Sequence, residues 1–267
     1  MKKEVQLFFT ALLFYTRIPI PKSVEYLEEN AKQSFKYLPA VGVLVGACMA
    51  IVLLFSCYVL PSTVAVILSI TCGIFITGAF HEDGLADTAD GFGGGWKKET
   101  ILKIMKDSSI GTYGTIALLL SFLLRYEFII ALLNIPVKNG ISSANFISIA
   151  LIVAQSVSRL MAVTTLVTHK YVRMNDPSSK SRSNAEVSLR WTSVPMIVAT
   201  LFGVLPLVFL RTPLVVVLLM VLYGVKFLMM RFFYKWIGGY TGDCLGAIQQ
   251  ITELTFYLGL ILLWKFI

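Results

Sequence analysis

Charge is scarce in this chain. Of its 267 residues only 14% are Asp, Glu, Lys or Arg, while 57% are hydrophobic and the mean hydropathy is +0.78. A soluble domain carries about a quarter charged residues, so an ordinary water-soluble globule is excluded. Long polar segments are missing too, which leaves no room for a separately folded soluble unit; residues 1–267 are expected to form a single membrane-embedded domain. The four cysteines, Cys48, Cys57, Cys72 and Cys244, make no CxxC pair, and three lie in apolar runs, so they read as packing residues rather than a disulfide or zinc set. Histidine is rarer still, and His81 does not begin an HExxH motif because Leu85 stands four residues on. The acids also miss the spacing of a calcium-binding EF-hand. A net charge of +8 is present, but no basic helix or RNA-type aromatic motif accompanies it. The lysines and arginines therefore read as loops facing anionic lipid, with no nucleic acid partner.

What the chain does have is a succession of apolar runs about 20 residues long, enough to cross a ~30 Å hydrocarbon layer. The expected fold is all-α: a polytopic integral membrane helical bundle of about 7–8 membrane helices. The count includes a short first helix over Val5–Tyr15, which resembles a signal peptide but lacks a small-residue cleavage site and is expected to stay, spanning, interfacial or re-entrant. Spans are expected over Leu38–Leu60, Pro61 to about Phe80, Ile110–Ile135, Ser142–Thr168, Thr192–Leu210, Leu214–Trp236 and from Thr241 to the C-terminus. Gly42 and Gly46 form a small-xxx-small pair that invites close packing of a neighbour. The connections near 22–36, 81–109, 170–190 and 235–242 hold most of the Lys and Arg, whereas those at 61, 136–140 and 211–213 are short and nearly neutral. The positive-inside rule places the charged set, and with it both acidic segments, on the cytoplasmic side of the cell membrane.

The run His81–Gly95, HEDGLADTADGFGGG, concentrates the acids Glu82, Asp83, Asp87 and Asp90. In a helix, Asp83, Asp87 and Asp90 stand at i, i+4 and i+7 and share one stripe. Carboxylates so close repel unless a cation lies between them, and an open set of hard oxygen ligands suits Mg²⁺ held jointly with a substrate phosphate. The glycines of the run, Gly94 among them, let backbone N–H groups face an anion. The expectation is a metal-assisted phosphoryl or phosphodiester centre at a membrane surface.

A second constellation, Gly238–Ala247 (GGYTGDCLGA), places Asp243 in the first turn of the last helix beside Gly242, where N–H groups can meet an anion and where Asp also suits the helix dipole. Gln250 falls on the Asp243 stripe with Glu253 beside it, a costly arrangement in an apolar helix unless it faces a polar cavity. Between the two, KIMKDSSIGTYG offers Lys106, Ser108, Gly111 and Thr112 as a phosphate-binding turn, or simply a capped helix start with a lysine at the headgroups. Arg159 lies inside a span and is expected to face a phosphate or an acid; Arg125 and Glu127 read as a structural pair or as snorkelling groups.

HEDGLADTADGFGG, KDSSIGTYG and GGYTGDCLGA, in this order, resemble the cobalamin synthase family, the adenosylcobinamide-GDP ribazoletransferases. FYTRIPIP (Phe14–Pro21) and YLPAVG (Tyr37–Gly42) resemble its N-terminal segments, so the likeness covers nearly the whole chain. CDP-alcohol phosphotransferases share a related acidic signature, but the Asp83-x3-Asp87-x2-Asp90-Gly91 spacing lacks their following Ala-Arg and downstream paired aspartates. An ion-coupled transporter is a weaker alternative, since no repeated broken helix is evident. The resemblance implies an enzyme of the cell membrane that joins adenosylcobinamide-GDP to α-ribazole or its 5′-phosphate, releases GMP, and requires Mg²⁺. On that reading Asp83, Asp87, Asp90 and Asp243 are the metal and catalytic acids, and Glu82 or Asp90 is the general base. Lys106 and Arg159 are phosphate clamps. The partners implied are the two substrates and the lipid bilayer; self-association or contact with other corrinoid-pathway enzymes is left open. The corrin is substrate, which agrees with the absence of a DxHxxG box.

Overall fold

The computed structural model describes residues 3–21, 24, 27–137, 141–172 and 194–266. Helices follow one another as α1 (Lys3–Tyr15), α2 (Glu28–Ser34), α3 (Leu38–Cys57), α4 (Ser62–Thr77), α5 (Phe80–Gly94), α6 (Lys98–Ile104), α7 (Thr112–Asn134), α8 (Ser143–Thr168), α9 (Val194–Val204), α10 (Val215–Ile237) and α11 (Gly242–Phe266). Among the described residues there is no strand, only an isolated parallel bridge between Tyr171 and Tyr240. This is an all-α helical membrane bundle. Five stretches are long and apolar enough to cross a membrane, and α4 with α5 makes a sixth if that bent pair counts as one span. The stretch Val194–Leu210 is apolar but shorter. The basic residues expected in the loop after Tyr171, Arg173 to Arg190, lie outside the described residues.

Helix α8 sits at the centre, buried along nearly its whole length. Glycine explains how α3 reaches it. A Cβ on Gly46 would stand 2.6 Å from Ile152 Cα, and Gly42 meets the Gln155 carbonyl just as closely. The small-xxx-small pair is thus a backbone-to-backbone seat, where dispersion contacts replace the hydrophobic drive that lipid cannot supply.

The largest departure from a simple run of spans lies between α4 and α5. The expected helix from Pro61 to Phe80 stops at Thr77. Gly78 (φ 63°) and Ala79 (φ 57°) are both left-handed, and the chain turns by 88° before α5 begins. The acidic run therefore occupies a helix of its own, not the tail of a span. The N-terminal FYTRIP segment packs on this break. The Arg17 N–H donates to the Ile76 carbonyl at 2.7 Å, and Phe14 and Tyr15 set their rings edge-on against Phe80.

Candidate active site

Helix α5 crosses the start of α11 at a glycine pair. A Cβ on Gly84 would lie 2.8 Å from the Asp243 carbonyl oxygen and 3.1 Å from Gly246 Cα, and one on Gly246 would lie 3.0 Å from the His81 carbonyl. This crossing brings the two acidic segments, 160 positions apart, to one place. Asp83 is exposed, Asp87 one turn later is half-buried, and Asp243 is half-buried in the first turn of α11. Thr241 organises that turn: its hydroxyl accepts the Cys244 N–H at 3.3 Å and stands 3.2 Å from Asp243 Oδ2. The preceding residues are held by a short bridge, with Tyr240 N–H donating to the Lys170 carbonyl and Val172 N–H to the Tyr240 carbonyl, each at 3.0 Å.

Asp90 departs from the expectation of a metal ligand or base. Both its oxygens accept backbone N–H groups at the start of α7, from Gly111 at 2.7 Å and Gly114 at 2.9 Å. A carboxylate here satisfies donors that a helix start leaves orphaned and complements the helix dipole. The same contact takes the Gly111 N–H, which had been expected to face a phosphate. Both glycines are needed because a Cβ at either would strike the Asp90 carboxylate.

Glu82 also departs from expectation, and of the two partners expected for Arg159 the cavity it shares with Glu82 favours the acid over the phosphate. Glu82 is buried, and its Oε1 accepts from Arg125 Nη1 at 3.3 Å and Gln250 Nε2 at 3.1 Å, so it faces the bundle interior and not the open acid face. Arg159 is 1% exposed and donates to the Gln155 carbonyl at 2.9 Å and to the Gln155 side chain, with no open path to a phosphate. Arg125 pairs with Glu82 and Glu253, while Glu127 is exposed.

The remaining predicted residues stand on accessible surface. Lys106, Ser108 and Thr112 are exposed around the start of α7, and Gly94 is exposed at the end of α5. Asp107 accepts the Ser109 N–H at 2.9 Å and its hydroxyl, which hold the carboxyl below its usual range. Gly242 lines a cleft of about 40 Å³ with Phe14, Tyr15, Phe80 and His81, so FYTRIP borders the acidic site. Among the described residues, no three His, Cys, Asp or Glu side chains are grouped to hold a metal ion by themselves, so the four-acid set expected from the sequence is not assembled. Sequence reasoning missed Gln249 and Ser158, joined at 3.0 Å inside the bundle, for which no sequence signal stands out.

Residues 7–261 match the model of a family described as cobalamin-5-phosphate synthase. The chain belongs to that family. Among curated relatives, an adenosylcobinamide-GDP ribazoletransferase of Shewanella amazonensis is 40% identical over 99% of this chain and 98% of its own length. Relatives of the same name from Shewanella sp. strain W3-18-1 and Shewanella oneidensis are 44% and 43% identical over 97% of this chain and 95% of theirs. No solved structure matches. Membership in the cobalamin-5-phosphate synthase family makes the protein a transferase of cobalamin biosynthesis. It leaves the CDP-alcohol phosphotransferase and transporter alternatives without support.

Proposed function

We propose that the protein joins adenosylcobinamide-GDP to α-ribazole or its 5′-phosphate, giving adenosylcobalamin or its phosphate and GMP. The observation that supports this reading is the α5–α11 crossing, which brings the acid-bearing helix α5 against the backbone of Asp243 in a chain that matches the family along nearly its whole length. The ribose 3′-hydroxyl of α-ribazole attacks the phosphorus on the cobinamide side of the diphosphate. A new P–O bond forms, the bridging P–O bond breaks, the hydroxyl proton is released, and GMP leaves with the bridging oxygen.

The donor set fits Mg²⁺ as that ion is usually bound, through one or two carboxylates together with substrate phosphate. Asp83 and Asp87, one turn apart on the accessible side of α5, would hold it; Asp90, occupied by α7, lies outside the set. The ion would neutralise charge developing on the diphosphate and the departing oxygen. Asp243, in the first turn of α11, would orient the incoming hydroxyl and accept its proton. Lys106, exposed beside the start of α7, would meet phosphate oxygens. The site is read as facing the cytoplasm, where the basic connections lie.

The test is GMP release from adenosylcobinamide-GDP by purified protein in detergent. Release should require both α-ribazole and a divalent cation, and Asp83→Asn should abolish it without lowering the yield of inserted protein. Turnover near the parent rate in that variant removes Asp83 from the centre.

A further inference from the structure

A glycine-on-glycine crossing allows close approach but supplies no interlocking side chains, so it behaves as a pivot. Something else must set the angle between α5 and α11. The structure contains a buried polar cluster beside that pivot. Arg125 of α7 donates from Nη1 to Glu82 Oε1 on α5 at 3.3 Å. It donates from Nη2 to Gln250 Oε1 on α11, and its Nε lies 3.3 Å from Glu253 Oε1, also on α11. Gln250 donates to Glu82 at 3.1 Å and to Gln249 at 2.8 Å, and Gln249 donates to Glu253 at 2.9 Å and Ser158 at 3.0 Å. Glu82, Arg125, Gln250 and Glu253 are each at most 6% exposed. A cavity of about 10 Å³, the size of one water, opens between Glu82, Arg125, Gln250 and Arg159, and Glu82 Oε2 and Arg159 Nε on its wall have no protein partner.

Apolar packing of the same volume is generally as stable as buried ion pairs, or more so, and charge inside a membrane domain is costly. Stability alone therefore does not explain this cluster. Glu82 is the chain neighbour of Asp83, so the grip on Glu82 is a grip on the first turn of the acid helix.

We propose that Arg125 is a positioning residue: by holding Glu82 on α5 and Gln250 and Glu253 on α11 together, it fixes where Asp83 and Asp87 stand relative to Asp243. The inference rests on the proposed function above. A planar guanidinium has donors in several directions at once, which a lysine ammonium at the same site lacks.

Two variants test it. Arg125→Lys keeps the charge but loses the fork. Glu82→Gln with Arg125→Met removes one charge of each sign. The readouts are thermal unfolding in detergent, kcat and KM for GMP release, and Mn²⁺ affinity measured by electron paramagnetic resonance. Expected are folded, inserted proteins whose melting temperature falls, more in the double variant, where buried Glu253 loses its ion-pair partner, with kcat lower by about 10–100-fold and Mn²⁺ affinity lower by about 10-fold, the range for residues that orient metal-bound carboxylates. Either variant turning over within twofold of the parent, with parent-like Mn²⁺ binding, overturns the proposal. If neither variant inserts, the cluster is a folding element and the positioning role is likewise rejected. A parent protein that binds no Mn²⁺ and needs no divalent cation would sink the metal reading, while the kcat of the variants still judges Arg125.

Discussion

The glycine crossing should separate stability from activity. Gly84→Ala places a methyl carbon 2.8 Å from the Asp243 carbonyl oxygen and 3.2 Å from Asp243 Cα. Both are backbone atoms, so no flexible side chain can swing aside, and the first turn of α11 must retreat by several tenths of an ångström. Overpacking of this kind costs about 1–3 kcal/mol. Alanine's helix preference over glycine returns about 1 kcal/mol. The net change in stability is therefore small, no more than about 2 kcal/mol by these two terms. Chemistry is less forgiving, since a misplacement of about 1 Å at a reacting centre costs about 100-fold, and half that displacement about tenfold on the same logarithmic scale. The assay is GMP release at saturating substrates beside a thermal melt of the same preparation. Gly224→Ala is the control: it lies in α10 with no atom within 4 Å of its added Cβ, and should keep full turnover. A Gly84→Ala protein working within twofold of the parent would refute the claim that this crossing sets the distance between the acids.

Two further outcomes follow from the same geometry. Asp90→Ala strips the acceptor from the Gly111 and Gly114 N–H groups and should cost about 1–2 kcal/mol, as loss of a helix cap does, read as a lower melting temperature. Gly46→Val drives a branched side chain into the backbone of α8 at Ile152 and should cost at least the ~1–3 kcal/mol of overpacking, seen as reduced yield of monodisperse protein.

Much of this was legible in the residues because local rules governed it. The i, i+4, i+7 acids do ride one helix, and Gly42 and Gly46 do seat a neighbour. The four cysteines are free thiols. What was not legible depends on partners distant in sequence. Nothing local distinguishes Asp83 from Glu82, yet a rotation of one residue turns the first outward and the second into the bundle. Asp90 looks like a third ligand until α7 presents two N–H groups to it from 21 and 24 residues away. Arg125 and Arg159 are both intramembrane cations on paper. In the structure Arg125 closes two ion pairs, whereas Arg159 donates to Gln155 one turn back along its own helix.

The break at Gly78–Ala79 shows why the acid helix needs the N-terminal segment. Ending α4 early leaves carbonyls unpaired in apolar surroundings, where each unsatisfied group is costly. Gly78 N–H and Ala79 N–H both return to the Ile74 carbonyl, and the Arg17 N–H takes the Ile76 carbonyl. The left-handed pair then releases the chain at 88°. Glycine adopts that conformation without strain, but Ala79 does so against a cost of about 1–2 kcal/mol for an ordinary residue. The aromatic contacts of Phe14 and Tyr15 with Phe80, two of them edge-on at 5.9 and 5.7 Å, supply an offset of comparable size. FYTRIP, the break and the acid helix are thus one device. Without the break, residues 80–94 would continue along the axis of α4 instead of turning away from it. The Gly84–Gly246 crossing depends on that turn, and the approach of the acid helix to the backbone of Asp243 depends on the crossing.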